Sequence, residues 1–263
     1  MKNTRTVCIA LLALFMSFSA FAQKGKVLFV ISEADTLLLQ KGKKKRQTGV
    51  FLNEFYLTHK SIADAGFAID YATPTGKKAT IDQESLDDDY WEGKLELKPE
   101  AIEFWKTNET FSNPMPLAEA IEKQEEYIGL VIPGGQGLMI DLIYDNNTAV
   151  LLKKFAADKK AIGLICHAPA LITTIPKKDN PFVGYKVNSI TPIEEFYVEK
   201  FIMKGKPKNR KIARQLKNLG LEYDRGGPGK GFATRDRNLV SSQNPYSGEE
   251  FNELFLKVLK EMK

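Results

Sequence analysis

Apolar residues fall into short runs separated by polar turns along most of the chain. Residues 26–32 (KVLFVIS), 128–132 (IGLVI) and 161–165 (AIGLI) are nearly unbroken apolar runs, short enough for strands buried on both faces. Residues 67–73 (FAIDYAT) predict a further strand, closed by the turn Pro74-Thr75-Gly76. Between the runs the period changes. Thr48 is placed to cap a helix reaching Ala65, with Phe51, Leu52, Phe55 and Ile62 on one side and Gly66 as its stop. Helices are also expected over 117–122, 149–158, 208–219 and 247–262, the last with Phe251, Leu254, Phe255, Val258 and Leu259 at helical spacing. Residues 37–47 read as a polar, basic loop, 81–113 as helical excursions outside the sheet, and 187–190 with the residues after it as a strand and turn. Short extended pieces are expected at 221–223 and 232–235, and a last strand at 239–241.

Strands alternating with helices predict an α/β fold, a mostly parallel sheet covered on both faces. Sites in such sheets lie beyond the carboxyl ends of the strands. Three features fall there: the loop before Thr48, Pro133-Gly134-Gly135, and the Cys166-His167 pair.

The first 22 residues change the picture of the mature chain. Lys2 and Arg5 precede an apolar run that ends in Ala20-Phe21-Ala22, an exit of the kind signal peptidase cuts. The run is shorter than the roughly 20 residues a spanning helix needs, and no later run would cross a membrane. Cleavage after Ala22 would leave residues 23–263, enough for one domain with a full core, in the periplasm or outside the cell. Removing Lys2 and Arg5 lowers the formal charge of +5 by two. The basic runs 41–46 and 204–211 read as solvated faces, and nothing has the spacing of a nucleic-acid-binding motif.

Cysteine and histidine use point to one place. Cys8 would leave with the signal, so Cys166 is the sole mature cysteine and has no disulfide partner. Only two histidines occur, and His167 follows Cys166 directly. A cysteine on the tight turn between a buried strand and a helix is presented as a nucleophile, with the helix N-terminus expected to lower its pKa. His167 could serve as acid or base, oriented by a carboxylate for which Glu194 and Glu195 are the candidates. Glu54 lies in an apolar helical stretch and could shuttle a proton or hydrogen-bond the thiolate. Gly134 and Gly135 would let a backbone N–H, together with the one after Cys166, form an oxyanion hole. The glycine-rich 226–231 lacks the following Lys-Ser/Thr of a phosphate loop and reads as a surface loop.

These segments resemble the motifs of the DJ-1/ThiJ/PfpI superfamily, and within it the Hsp31-like branch of glutathione-independent glyoxalase III and chaperone-type proteins. The resemblance rests on Thr48-Gly49 with Glu54 and His59, on Thr73-Pro74-Thr75-Gly76 followed by Ile81-Asp82 and Ser85, and on Pro133-Gly134-Gly135-Gln136-Gly137 with Asp141. Ile165-Cys166-His167-Ala168-Pro169 and Gln243-Asn244-Pro245-Tyr246-Ser247 complete it. It implies a flavodoxin-like three-layer sandwich, like class I glutamine amidotransferases, with a helical insertion around 81–113. It implies Cys166 as nucleophile, His167 beside it, Glu54 against the cysteine, and Glu195 completing a triad. Gly135 and the His167 amide become oxyanion donors, and Gly134, Gln136 and His59 join the substrate-binding set. Gln136 stands where many relatives carry histidine, and Ser242 where they carry glycine.

The activity so implied converts methylglyoxal and water to lactate through a cysteine hemithioacetal, with no metal or organic cofactor. The same chemistry on glycated amines would be a deglycase activity. Expected partners are small reactive aldehydes and unfolded or glycated proteins, with no nucleic acid and no membrane span, and relatives suggest a homodimer. Two other classes fit the same residues: a holdase chaperone or redox-sensing stress protein, and a cysteine peptidase or amidase. A glutamine amidotransferase would need a later histidine, and none follows His167.

Overall fold

A computed structural model describes residues 24–262; the proposed signal segment lies outside the described residues. In chain order the elements are β1 (Lys26–Val30), β2 (Thr36–Leu39), β3 (Lys44–Gln47), α1 (Leu52–Asp64) and β4 (Ala68–Thr73). Next come α2 (Lys98–Thr107), α3 (Glu109–Ser112), β5 (Met115–Pro116), α4 (Leu117–Glu122), β6 (Tyr127–Ile132), α5 (Asn146–Ala157) and β7 (Ala161–Ile165). The chain closes with β8 (Lys186–Val187), α6 (Pro192–Tyr197), α7 (Ile212–Leu219), β9 (Glu222–Tyr223), β10 (Ala233–Asp236), β11 (Leu239–Ser242) and α8 (Gly248–Glu261).

Seven strands form the central sheet in the order β10-β11-β7-β6-β1-β4-β5. All neighbours are parallel except β10, which runs antiparallel to β11. The apolar runs sit in its middle: Val27 to Val30, Leu130 to Ile132 and Leu164 are all shielded from solvent. Helices cover both faces. One layer has α1 beside α8, and α8 lies flat because β6 and β7 carry glycines beneath it. A Cβ on Gly163 would fall 2.7 Å from Phe251, and one on Gly129 would fall 2.8 Å from Leu259. The result is the expected flavodoxin-like three-layer arrangement. From β1 the chain steps out to β4 on one side, whereas β6, β7 and β11 lie on the other. The switch between the two directions falls beside β1 and β6, where a crevice opens at the carboxyl edge.

Three local expectations are corrected. Residues 37–47 are not a loop: β2 and β3 form an antiparallel hairpin outside the main sheet. Leu37 and Leu39 point inward to Met203 while Leu38 is exposed, so the period-2 alternation was present but short. Thr48 does not cap α1, which begins at Leu52. Its hydroxyl donates to Asp82 at 3.2 Å, and residues 49–51 cross the sheet edge as extended chain. Residues 192–197 are helix rather than turn, and the helix runs on through a π-helical turn at Val198–Ile202. Residues 81–113 are helical as expected, with Trp91 fully buried. No helix among the described residues is long and apolar enough to cross a membrane.

Candidate active site

β7 delivers Cys166 to the carboxyl edge and the chain turns sharply there. Cys166 has φ +57°, a left-handed conformation that costs a non-glycine residue about 1–2 kcal/mol. The turn is held from both sides: the Cys166 N–H donates to the Ser242 carbonyl at 2.8 Å, and its carbonyl accepts from Ile190 at 3.0 Å. A short 3₁₀ helix, Ala168–Thr174, follows, with Pro169 in its first turn.

β6 ends one strand away. Gly134 stands where α1 and the cysteine turn converge. A Cβ there would lie 2.3 Å from Glu54 Oε2 and 2.8 Å from Cys166 Cβ, so only glycine lets these two side chains approach. Gly135 takes φ +108°, and its missing Cβ would strike the Gly49 carbonyl at 2.3 Å. The loop before α1 therefore packs directly on the Pro-Gly-Gly turn.

Glu54, in the first turn of α1, is buried, and neither carboxyl oxygen has a fully formed hydrogen bond. It faces the Cys166 thiol and the Gly134 amide. Burial pushes its pKa up to about 8, against weaker opposing effects of those two neighbours. Glu54 is therefore mostly protonated at neutral pH. Burial also pushes the Cys166 thiol up, with the carboxylates of Glu54 and Glu194 adding to the effect. The expected lowering by a helix N-terminus does not prevail: the helix is one of short 3₁₀ turns, and only the His167 amide acts in that direction.

His167 turns Nδ1 to the Cys166 sulfur at 3.2 Å. Its Nε2 meets the side-chain amide of Gln136 at 2.7 Å. Burial lowers the His167 pKa to about 4, so the ring is neutral and can accept a proton. Which ring nitrogen carries hydrogen depends on which end Gln136 presents, and an amide can present either.

Glu195 does not complete this triad. Its carboxylate accepts the backbone N–H of Lys211, at the start of α7, and it is held up in pKa mainly by burial. The capping geometry of α6 explains why. Thr191 and Glu194 form a reciprocal capping box, which turns Glu194 toward the cavity and Glu195 away. Glu194 is bonded by Asn244 at 2.8 Å, Gln243 at 3.2 Å and the Gly229 N–H at 2.8 Å. His59 is also outside the cavity. Five residues beyond Glu54, it lies about 7.5 Å further along α1 and on another side. Its Nδ1 pairs with the Tyr71 hydroxyl at 2.8 Å, and its ring packs against Phe104 and Phe55.

A cavity of about 360 Å³ opens above Cys166, His167, Gly135 and Gln136. Its walls are aromatic, from Phe51, Tyr90, Tyr197 and Tyr246, and its polar groups include Asp82, Glu84 and Glu194. Among the described residues, no lysine or arginine lines it. Pro228 and Gly229 also line it, so the glycine-rich loop is part of the rim rather than a detached surface loop. The Thr-x-x-Glu at 191–194 was a helix-start signal that could have placed Glu194 at the site. Nothing in the local pattern pointed to Tyr90 or Tyr197. Among the described residues, no cluster of three His, Cys, Asp or Glu could hold a metal ion.

A family profile described as "ThiJ/PfpI family-like" matches residues 46–193. The chain is 25% identical over 241 residues to the protein/nucleic acid deglycase HchA of Staphylococcus aureus, covering 88% of this chain and 78% of that protein. Its identity to the Escherichia coli protein of the same name is 23% over 236 residues, covering 88% and 80%. The fold matches the crystal structure of glyoxalase III from Candida albicans with a TM-score of 0.73 at 22% identity, over 90% of this chain and 98% of that one.

Proposed function

The chain belongs to the DJ-1/ThiJ/PfpI superfamily, and from that premise we propose that it is an enzyme using Cys166 to rearrange small reactive carbonyls, in the manner of glyoxalase III. The observation that carries the reading is a buried cysteine flanked by a neutral imidazole at 3.2 Å and a protonated carboxyl. With the Gln136 amide turned so that its oxygen accepts from Nε2–H, the thiol hydrogen passes to His167 Nδ1 as sulfur bonds the aldehyde carbon of methylglyoxal. The carbonyl oxygen takes up a proton, and a hemithioacetal forms. Glu54, with a pKa near 8, can supply that proton and then act as a base. It removes the hydrogen from the former aldehyde carbon and returns one to the neighbouring carbon, while His167 delivers the proton it holds to the ketone oxygen and takes the one on the hydroxyl. The product is a lactoyl thioester, which water cleaves to lactate and the free thiol. The internal hydrogen shift leaves the overall oxidation state unchanged, so no external oxidant or reductant enters. In this reading the Gly135 and His167 amides steady the oxygen as charge develops.

The cavity favours a second substrate form for the same chemistry. It is larger than a three-carbon aldehyde requires, and its rim is acidic and aromatic. An adduct of the aldehyde with an amine or guanidine group would fill it, which is the deglycase reading that the HchA relatives' name carries. Cys166 is only 5% exposed, which favours a carbonyl or side-chain adduct over an extended peptide backbone as substrate. We place this activity in the periplasm or outside the cell, on the strength of the N-terminal 22 residues. The test is lactate formation from methylglyoxal without glutathione by the purified protein, beside release of free amine from methylglyoxal-treated N-acetyl-lysine and a casein digestion. Lactate or amine release that is lost in Cys166→Ser supports the reading; casein cleavage alone would replace it with peptidase chemistry.

A further inference from the structure

We propose that the groove between the β2–β3 hairpin and the segment 196–208 is a docking site for an acidic polypeptide segment carrying apolar side chains. The two basic runs of the sequence, about 160 residues apart, meet there. The hairpin is stitched to the second run through backbone: Gln40 N–H donates to the Lys206 carbonyl at 3.0 Å, Lys44 Nζ to that of Met203 at 2.9 Å, and Arg46 to that of Ile202 at 2.8 Å. Leu39 and Pro207 form an isolated β-bridge.

This convergence brings like charges together. Lys41, Lys200, Lys204, Lys206 and Lys208 line a groove of about 1260 Å³. The one carboxylate that lines it among the described residues, Glu199, is buried and bound by Arg210, so it does not offset them. Cations gathered without counter-charges repel one another and attract an anionic partner. The groove is also apolar. Leu38 and Phe196 line it at 48% and 56% exposure, and Phe201 beside them is 51% exposed. Lys200 lies over both Phe196 and Phe201. Two exposed phenylalanines sharing one lysine, with an exposed leucine in the same groove, form an apolar patch of the kind that marks a contact surface.

The shape and charge select the occupant. A concave groove suits a chain segment better than a flat lipid surface. A second copy of this protein, joined across a two-fold axis, would set one lysine rim against another. An acidic segment with apolar side chains satisfies both the lysines and the phenylalanine floor. The groove is also one helix away from the cysteine cavity: Ile193, Glu194 and Tyr197 face the cavity, whereas Phe196, Glu199 and Lys200 face the groove.

The test is fluorescence anisotropy of a dye-labelled peptide of alternating aspartate and leucine with the purified protein. Companion probes are the same peptide with asparagine for aspartate, the same peptide with serine for leucine, and phosphatidylglycerol vesicles. The aspartate–leucine peptide should bind more tightly than either companion peptide, and more weakly as salt rises. Affinity should drop roughly tenfold in the double variant Lys204→Glu/Lys206→Glu, whose charges face solvent, and also drop in Phe196→Ser. Should the double variant misfold by circular dichroism, Lys200→Gln replaces it. Equal binding by the variants, equal binding of the uncharged peptide, binding to vesicles alone, or a dimer that occludes the groove by cross-linking would overturn the proposal. Methylglyoxal turnover is read in the same samples, so loss of the groove and loss of the cysteine chemistry are told apart.

Discussion

Gln136 meets the far ring nitrogen of His167 at 2.7 Å, so the imidazole beside the nucleophile is oriented by a neutral amide and not by a carboxylate. A carboxylate would stabilise the imidazolium and fix one tautomer. An amide fixes the ring position but leaves its charge unsupported, which fits a His167 pKa near 4. Gln136→Glu should place a charge at the same spot and raise that pKa. His167 must be neutral to take the thiol proton, so the acid limb of kcat/KM should move to higher pH. Gln136→Leu should lower kcat without shifting the limb upward. The pH–rate profiles of the three proteins check this, and an unmoved limb in Gln136→Glu would remove Gln136 from the role.

Much of this site is legible in the sequence alone. The apolar runs placed β1, β6 and β7, and the turns after β6 and β7 placed Gly134 and Cys166 together at one edge. What escaped has physical reasons. The hairpin β2–β3 is lysine-rich, and its inward pattern is only Leu37 and Leu39, too short to outweigh the polarity around it. Two adjacent glutamates at 194 and 195 differ by one helical step of about 100°, and only the capping box at Thr191 decides which faces the cavity. In the sequence Gln136 stands out only as a glutamine where many relatives carry histidine. Its bond to His167 joins residues on two different strand ends, a pairing no local pattern encodes.

Glu195→Ala distinguishes the two glutamates. Glu195 accepts the N–H of Lys211 at the start of α7, which has no side-chain cap of its own. Its loss should cost about 1–2 kcal/mol of stability, as for a helix cap, with kcat/KM nearly unchanged. Glu194→Ala should instead reduce kcat/KM, because it frees Asn244, Gln243 and the Gly229 amide at the cavity rim. Urea unfolding and steady-state kinetics on both variants read the two effects separately.

Glu54→Gln should change three observables in stated directions. The Glu54 pKa is about 8 in the folded protein and near the ordinary 4.5 when unfolded. The folded state therefore keeps a proton that the unfolded state releases, and this destabilises folding increasingly as pH rises from about 4.5 to about 8. Glutamine cannot ionise, so the variant should gain stability over the wild type across that window. Turnover should fall steeply, because the group that moves the proton between carbons is gone. Alkylation of Cys166 should reach its half-maximal rate at a lower pH than in the wild type, since an ionised Glu54 raises the thiol pKa and glutamine cannot. Wild-type turnover in Glu54→Gln would assign the proton transfer to His167 alone.

The charge of the cavity sets a selectivity that can be measured on simple aldehydes. Asp82, Glu84 and Glu194 line it, and among the described residues no lysine or arginine does. Arg46 pairs with Glu84 from behind and also acts on Asp82, which leaves Glu194 as the lining carboxylate with no cationic partner among the described residues. A substrate that brings its own carboxylate must lose hydration and then meet negative charge in a site of low polarity, where Coulomb repulsion is several times stronger than in water. Methylglyoxal carries no charge and avoids that cost. 4,5-Dioxopentanoate presents the same ketoaldehyde with a carboxylate at the far end of its chain, and should bind poorly at neutral pH. We expect kcat/KM for 4,5-dioxopentanoate, read as 2-hydroxyglutarate formed, to be at least roughly tenfold below that for methylglyoxal, the equivalent of about 1.4 kcal/mol. The difference should appear mainly in KM, because repulsion acts already on the bound ground state. Glu194→Gln removes one charge but keeps a side chain that can bond Asn244, so it should narrow the gap while leaving the aldehyde chemistry in place. Equal kcat/KM for the two aldehydes in the wild type would mean that the rim carboxylates are screened from the bound substrate, and the preference for neutral or cationic carbonyls would then have no electrostatic basis.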